Sequence, residues 1–283
     1  VRPRAQRVVG NASPARTRDA IEFTGESGVA QVIGRPLLFC VVSLAIMVAA
    51  AWLGVVLLRH SRVLGNCARE DFSVVQSATL TLLALVIGFN LSMAVSRYDQ
   101  RKNYEEEEAN AIGTELLRAD LLPAANAATL RAILAKYLEQ RIEYYKVSDK
   151  AELDRINLKS AQMQAQMWDT VRAGARAQPD AVTALAITGL NDVFSRQGYT
   201  QAEWSNRIPP AAWYLMIAIG IFSNVLVGYG SRSAAFRPRF LLIMPIIVSL
   251  SFMLIADIDS PRGGIIRITP QNLLLVANSL SAP

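Results

Sequence analysis

The chain has 283 residues, enough for one or two soluble domains, but 52% are hydrophobic, only 18% are charged and the mean hydropathy is +0.26. That composition excludes an ordinary soluble protein, a disordered chain, a collagen-like repeat and a disulfide scaffold. With two cysteines, Cys40 and Cys67, and one histidine, His60, neither a His/Cys zinc centre nor a helical di-metal site can be assembled in one chain, so no metal or cofactor is expected.

Residues 1–36 hold six arginines (Arg2, Arg4, Arg7, Arg16, Arg18 and Arg35) and no long apolar period, so they read as a tail without a fold of its own. Its expected contact is anionic lipid rather than nucleic acid. Four stretches then lack any Asp, Glu, Lys, Arg or His: Leu37 to Leu58, Phe72 to Ser96, Ile208 to Ser231 and Phe240 to Ala256. At about 22, 25, 24 and 17 residues they predict four transmembrane helices, two in 37–96 and two in 208–256. The first starts too late and runs too long to be a secretory leader.

The polar insert, 97–207, is near neutral, with 15 Lys/Arg against 16 Asp/Glu. Arg97 to Leu122 contains no proline and predicts a helix ending at Pro123, into which the second span can run directly. Leu130, Ile133, Leu134, Tyr137, Leu138, Ile142 and Tyr145 recur at helical spacing, as more loosely do Leu153, Ile156, Leu158, Met163, Met167 and Val171. Both stripes read as the core of a helical bundle. Trp213 and Tyr214, just after Pro209 and Pro210, read as interface anchors. In 257–283, the apolar Leu273 to Val276 is expected to pack against the inserted helices. The expected fold is therefore an all-α membrane protein with four transmembrane helices and a helical cytosolic insert between the second and third. Pairing the spans places both termini beside the insert, and the Lys/Arg distribution tilts that side to the cytoplasm.

The second span and its continuation carry the residues of interest. Thr81, Leu85 and Phe89 are spaced i, i+4, i+8 and share one helix face, where side chains of several copies could form stacked rings. Asn90 in mid-span should face a partner helix or water. Arg97, Tyr98 and Tyr104 suit the inner interface, and Glu105 to Glu108 suit a solvated face on which Glu105 can pair with Arg101. In a symmetric pore a ring of glutamates would favour cations, whereas Arg97, Arg101 and Lys102 would favour anions; both sets cannot line one depth. Asp257 and Asp259 precede a turn at Pro261, Gly263 and Gly264. No nucleophile or oxyanion donor accompanies those carboxylates, and no Gly-x-Ser-x-Gly, His-Glu-x-x-His or phosphate-cradling loop is present, so the chain is not expected to be an enzyme.

The run Gly88-Phe89, then Arg97-Tyr98, Arg101-Lys102 and Tyr104 resembles bestrophin channels, particularly bacterial ones. The segments from Glu108 through Asn110 to Gly113-Thr114, and Ile258 through Pro261 to Gly263, resemble the bacterial bestrophin-like membrane family more closely still. This resemblance implies a homopentamer in the bacterial cytoplasmic membrane that passes small inorganic ions along an axial pore lined by the second helix. The family's neck, carried over by offset from Gly88, falls on Phe89, Leu85 and Thr81. Gly88 and Asn90 adjoin it, and Arg97, Tyr98, Arg101, Lys102, Glu105 and Glu108 form the inner-mouth motif. Thr81 departs from the family's bulky apolar residue. The acidic cluster that forms a calcium clasp after the Pro-x-Gly turn in animal bestrophins is missing here, where Gly264-Ile265-Ile266-Arg267 follows, so calcium gating is not expected. The competing reading is a non-conducting scaffold or sensor whose inserted helices bind a partner.

Overall fold

The computed structural model describes residues 35–60, 66–230 and 238–281. The tail before residue 35, the loops at 61–65 and 231–237 and the side chains of His60 and Cys67 lie outside the described residues. Among the described residues the regular elements are all helices, the longer ones being α1 (Pro36–His60), α2 (Asn66–Arg118), α3 (Ala124–Lys146), α4 (Lys150–Ala177), α5 (Thr183–Ser205), α6 (Pro210–Gly230), α7 (Ile243–Asp259) and α8 (Gln271–Ser281).

The expected count of four spans needs correction. Among the described residues three helical stretches are long and apolar enough to cross a membrane: Pro36–Leu57, Asp71–Leu121 and Thr183–Gly230, the last including both α5 and α6. The fourth uncharged run becomes α7, of 17 residues. At 1.5 Å per residue that is about 26 Å, short of a roughly 30 Å hydrocarbon core. Its last turn moreover carries Asp257 and Asp259, whose carboxylates accept from the amides of Ile265, Ile266 and Ile208, which shortens the apolar length further. A run without charges counts residues, but it does not say where the helix begins or what its end packs against.

The second span does continue into the insert. α2 is one helix of 53 residues, about 80 Å long, with no proline in it. It ends in a short 3-10 turn, Ala119–Leu121, and Pro123 caps α3. Two cores lie along α2. One buries Leu83 and Ala94 with Phe39 and Met47 of α1, Trp213 and Met216 of α6, and Val248 and Phe252 of α7. The other buries Ile112 and Leu116 with the α3 stripe (Leu130, Leu134, Tyr137, Leu138), with Ile156, Met167 and Val171 of α4, with Leu190 and Val193 of α5, and with Leu273 of α8. Tyr98 packs against both. From the α4 stripe, Leu158 falls outside the core and is exposed.

α1 and α6 approach so closely that a methyl at Gly54 would overlap the carbonyl oxygen of Val225, and one at Gly228 that of Ala51. Trp213, expected at an interface, is instead buried edge-on against Phe39, with ring centroids 5.3 Å apart. Tyr214 beside it is exposed. The start of α1 is thereby level with the start of α6, and the start of α8 meets α2 just below the first core, so both described ends lie on the side of the inserted helices.

Candidate functional site

From Asp71 onward α2 has one covered and one uncovered face. Leu83, Asn90, Ala94, Arg101, Glu105, Glu108 and Glu115 are buried, whereas Ser77, Thr81, Leu85, Gly88, Ser92, Ser96, Asp99, Asn103 and Glu106 are exposed and recur at steps of three and four. Thr81, Leu85 and Phe89 thus all lie on the side that the protomer leaves open, with Leu85 52% and Phe89 65% exposed. Nothing stands within 4 Å of a methyl placed on Gly88. The Thr81 hydroxyl donates back to the Ser77 carbonyl at 2.9 Å, which lets it sit in a membrane helix without another acceptor. Asn90 turns the other way: its amide donates to the Val86 carbonyl at 2.8 Å, and its Oδ1 is buried without a partner.

The uncovered faces of α1 and α2 differ chemically. On α1 the exposed side chains include Leu37, Val41, Ile46, Trp52, Leu53 and Val56, all suited to lipid. On α2, Ser77, Thr81, Gly88, Ser92 and Ser96 interrupt the exposed apolar side chains Val74, Val75, Leu82, Leu85, Phe89, Met93 and Val95.

Beneath the membrane core the inner-mouth residues are mostly turned inward. Arg101 is fully buried and donates to three backbone carbonyls: Nη2 to Asn206 at 2.8 Å, Nε to Glu203 at 3.3 Å and Nη1 to Ile258 at 3.4 Å. These carbonyls close the C-terminal ends of α5 and α7, where the helix dipoles are negative and the last C=O groups lack partners, so one guanidinium caps two helices. Glu105 does not pair with Arg101. Its carboxylate accepts from the Leu273 amide at 3.0 Å and from the Asn272 side chain at 2.7 Å, at the start of α8. Burial raises the Glu105 pKa against the lowering effect of those hydrogen bonds. Glu108 is buried with Arg141, whose guanidinium grips both carboxylate oxygens, while Thr200 and Tyr145 hydroxyls donate to Oε2 at 3.0 and 3.3 Å. Arg97 is half-buried, with Nε and Nη1 lacking partners; Lys102 is exposed, and Tyr104 stacks on Tyr199 at 6.0 Å.

The C-terminal turn is tied to this junction. Asp257 accepts from the amides of Ile265 and Ile266 at 2.6 and 2.8 Å, and Asp259 accepts from the amide of Ile208 at 3.1 Å. Both carboxylates are thus engaged by backbone. Pro261 is buried and Gly263 exposed, whereas Gly264 is pressed so closely to Asp257 that a methyl would stand 2.7 Å from its carbonyl oxygen. Gly264→Ala is expected to lose about 1–3 kcal/mol of stability through that overlap, read as a lowered melting temperature of the purified protein.

Arg262, Arg141, Tyr144, Thr200 and Trp204 escaped the sequence reading as site residues, and Tyr145 was read only as part of the α3 stripe. Arg262 donates to the carbonyls of Tyr144 and Val147 at 2.7 and 2.6 Å, closing α3, and stacks over Trp204 at 4.1 Å and Tyr144 at 4.5 Å. The available signal was aromatic crowding at the ends of two helices, Tyr144-Tyr145 and Trp204.

The fold matches known structures over most of its length. A variant of a bacterial bestrophin homolog from Klebsiella pneumoniae aligns with a TM-score of 0.61 at 14% identity, covering 84% of this chain and 98% of that one. A second structure of the Klebsiella pneumoniae homolog aligns at 0.58 and 15% identity, covering 85% and 95%. A structure described as a membrane protein aligns at 0.58 and 14%, covering 84% and 98%. No curated protein matches the sequence. Residues 39–273 match the model of the bestrophin-like domain, so the chain belongs to the bestrophin-like family of membrane proteins, which is not a family of enzymes.

Proposed function

We propose that this chain is the protomer of an ion channel in a bacterial cytoplasmic membrane, a homopentamer whose axial pore is lined by the uncovered face of α2. The observation that carries this is the character of that face. A helix surface destined for lipid has no use for Ser77, Thr81, Ser92 and Ser96 in line, whereas a surface facing water in a narrow passage does. Phe89 and Leu85, one turn apart and pointing away from their own protomer, form the apolar neck, with Thr81 as a wetter outer ring. The insert and both termini lie in the cytoplasm in this reading.

The ions are cations. Below the neck the same face carries Asp99 and Glu106, both exposed and seven residues apart, while Arg101 is sealed inside the junction and Lys102 stands off the centre of the stripe. Asp99→Asn combined with Glu106→Gln is therefore expected to move the reversal potential in a potassium chloride gradient toward the chloride equilibrium potential.

The test of the channel itself is the reversal potential of purified protein in a planar bilayer under that gradient, with Phe89→Ala as a sensitised control. A steady, shifted reversal supports the channel. Silence from both folded proteins overturns it in favour of a scaffold or sensor.

A further inference from the structure

Glu108 and Glu105, on the covered face of α2, each accept several hydrogen bonds; Glu115 accepts none. It is fully buried where α5 crosses α2, and neither of its oxygens meets a donor. Across from it is Gly189, where a methyl would overlap Glu115 Oε2 and stand 2.7 Å from Arg118 Nη1, so the α5 backbone rests directly on the carboxyl. The charges facing it are Arg118, three residues later on α2, and Asp192 from α5. Arg196 of α5 is engaged with Glu107 at 2.6 Å, and α8, which packs on the neighbouring Gly113 through Val276, has no titratable residue. Burial dominates, Arg118 and Asp192 pull in opposite directions, and the carboxyl is pushed up to about 8. A cavity of about 280 Å³ runs alongside, lined by Asn110, Thr114, Arg118, Asp192 and Arg196, roomy and polar enough for several waters.

We propose that Glu115 is a proton-operated latch between α2 and α5. Neutral, it lets α5 lie closed on α2 at Gly189. Ionised, it needs water or Arg118, and the cavity supplies both when α5 lifts; the proton leaves to solvent by the same route. The latch does not require that the protein conduct. On the channel reading, it makes cytoplasmic pH an input to the helix that lines the pore.

The sign follows from linkage. In the unfolded chain the carboxyl titrates near its ordinary value of 4.5, so the buried neutral form contributes stability that is full below that pH and is lost as pH rises toward about 8. Two measurements on the purified full-length protein test the latch, with Glu115→Gln as the permanently neutral reference. Infrared spectra should contain a protonated-carboxyl band at pH 7 that fades by pH 9 and is missing from Glu115→Gln. Amide hydrogen exchange of residues 183–196 should match in the two proteins at pH 4 and become about tenfold faster in the unmutated protein for each pH unit between about 4.5 and about 8. Asp192→Asn, an exposed change, should lower the midpoint at which the band fades by removing the charge that opposes ionisation. Absence of the band at pH 7, or equal exchange at pH 9, overturns the latch. A silent protein whose carboxyl titrates this way overturns the channel reading alone, and a conducting protein with equal exchange overturns the latch alone.

Discussion

Phe89→Ala is expected to raise single-channel conductance several-fold, and Leu85→Ala to raise it by a smaller margin. In the protomer both side chains are more than half exposed, so their removal empties no core and costs little stability. What changes is the passage between copies. A ring of phenylalanines forms a narrow apolar constriction from which water withdraws, and alanine both widens it and removes the surface that disfavours water. Leu83 is the internal comparison. It lies on the same helix but is only 2% exposed, so Leu83→Ala should cost about 2–5 kcal/mol of stability through a cavity and leave the conductance of folded molecules unchanged. Bilayer recordings paired with thermal melts separate the two effects. Unchanged currents in both Phe89→Ala and Leu85→Ala would sink the neck.

Glu108→Ala is expected to be the most destabilising single substitution in the inserted helices, at about 3–5 kcal/mol. The cost arises from what remains. Arg141 is wholly buried and would keep its charge with no carboxylate, and the hydroxyls of Thr200 and Tyr145 would lose their acceptor. These partners come from α3 and α5, so the loss loosens three helices at once. Arg141→Ala should be similarly damaging, because it strands Glu108. Replacing both by methionine should recover most of the stability, since two apolar side chains leave no charge behind. A double-mutant cycle read by thermal unfolding checks this, and simple additivity of the two single changes would show that the pair is not coupled.

How much of this was legible in the sequence depended on how local the cause was. The α3 stripe was legible because Leu130, Leu134, Tyr137 and Leu138 repeat at a helical period, and the end of α2 because Pro123 cannot continue a helix. The shared face of Thr81, Leu85 and Phe89 followed from their spacing alone. What spacing could not give was which face of α2 is covered. Four consecutive glutamates look solvated, yet Glu105 and Glu108 are buried because Leu273, Arg141 and Thr200 reach them from 168, 33 and 92 residues away in sequence. α5 was also hidden, since its buried positions include Thr183, Ala186, Gly189 and Thr200, which carry almost no hydrophobic signal. The overcounted span failed for the opposite reason: its composition was unambiguous, but its usable length was set by the junction that holds Asp257 and Asp259.

The unbroken course of α2 has a mechanical consequence. A helix without proline or an interior break resists bending, so a push on its cytosolic half is delivered to the membrane half as rotation or tilt of the whole element. On the pentameric channel reading, five such shafts around an axis would behave like the leaves of an iris: a small common turn would swing every Phe89 toward or away from the centre together, with no side chain in the neck needing to change rotamer. Aperture would then be governed from Glu105, Glu108 and Glu115, about 24–39 Å along the helix from the constriction it controls.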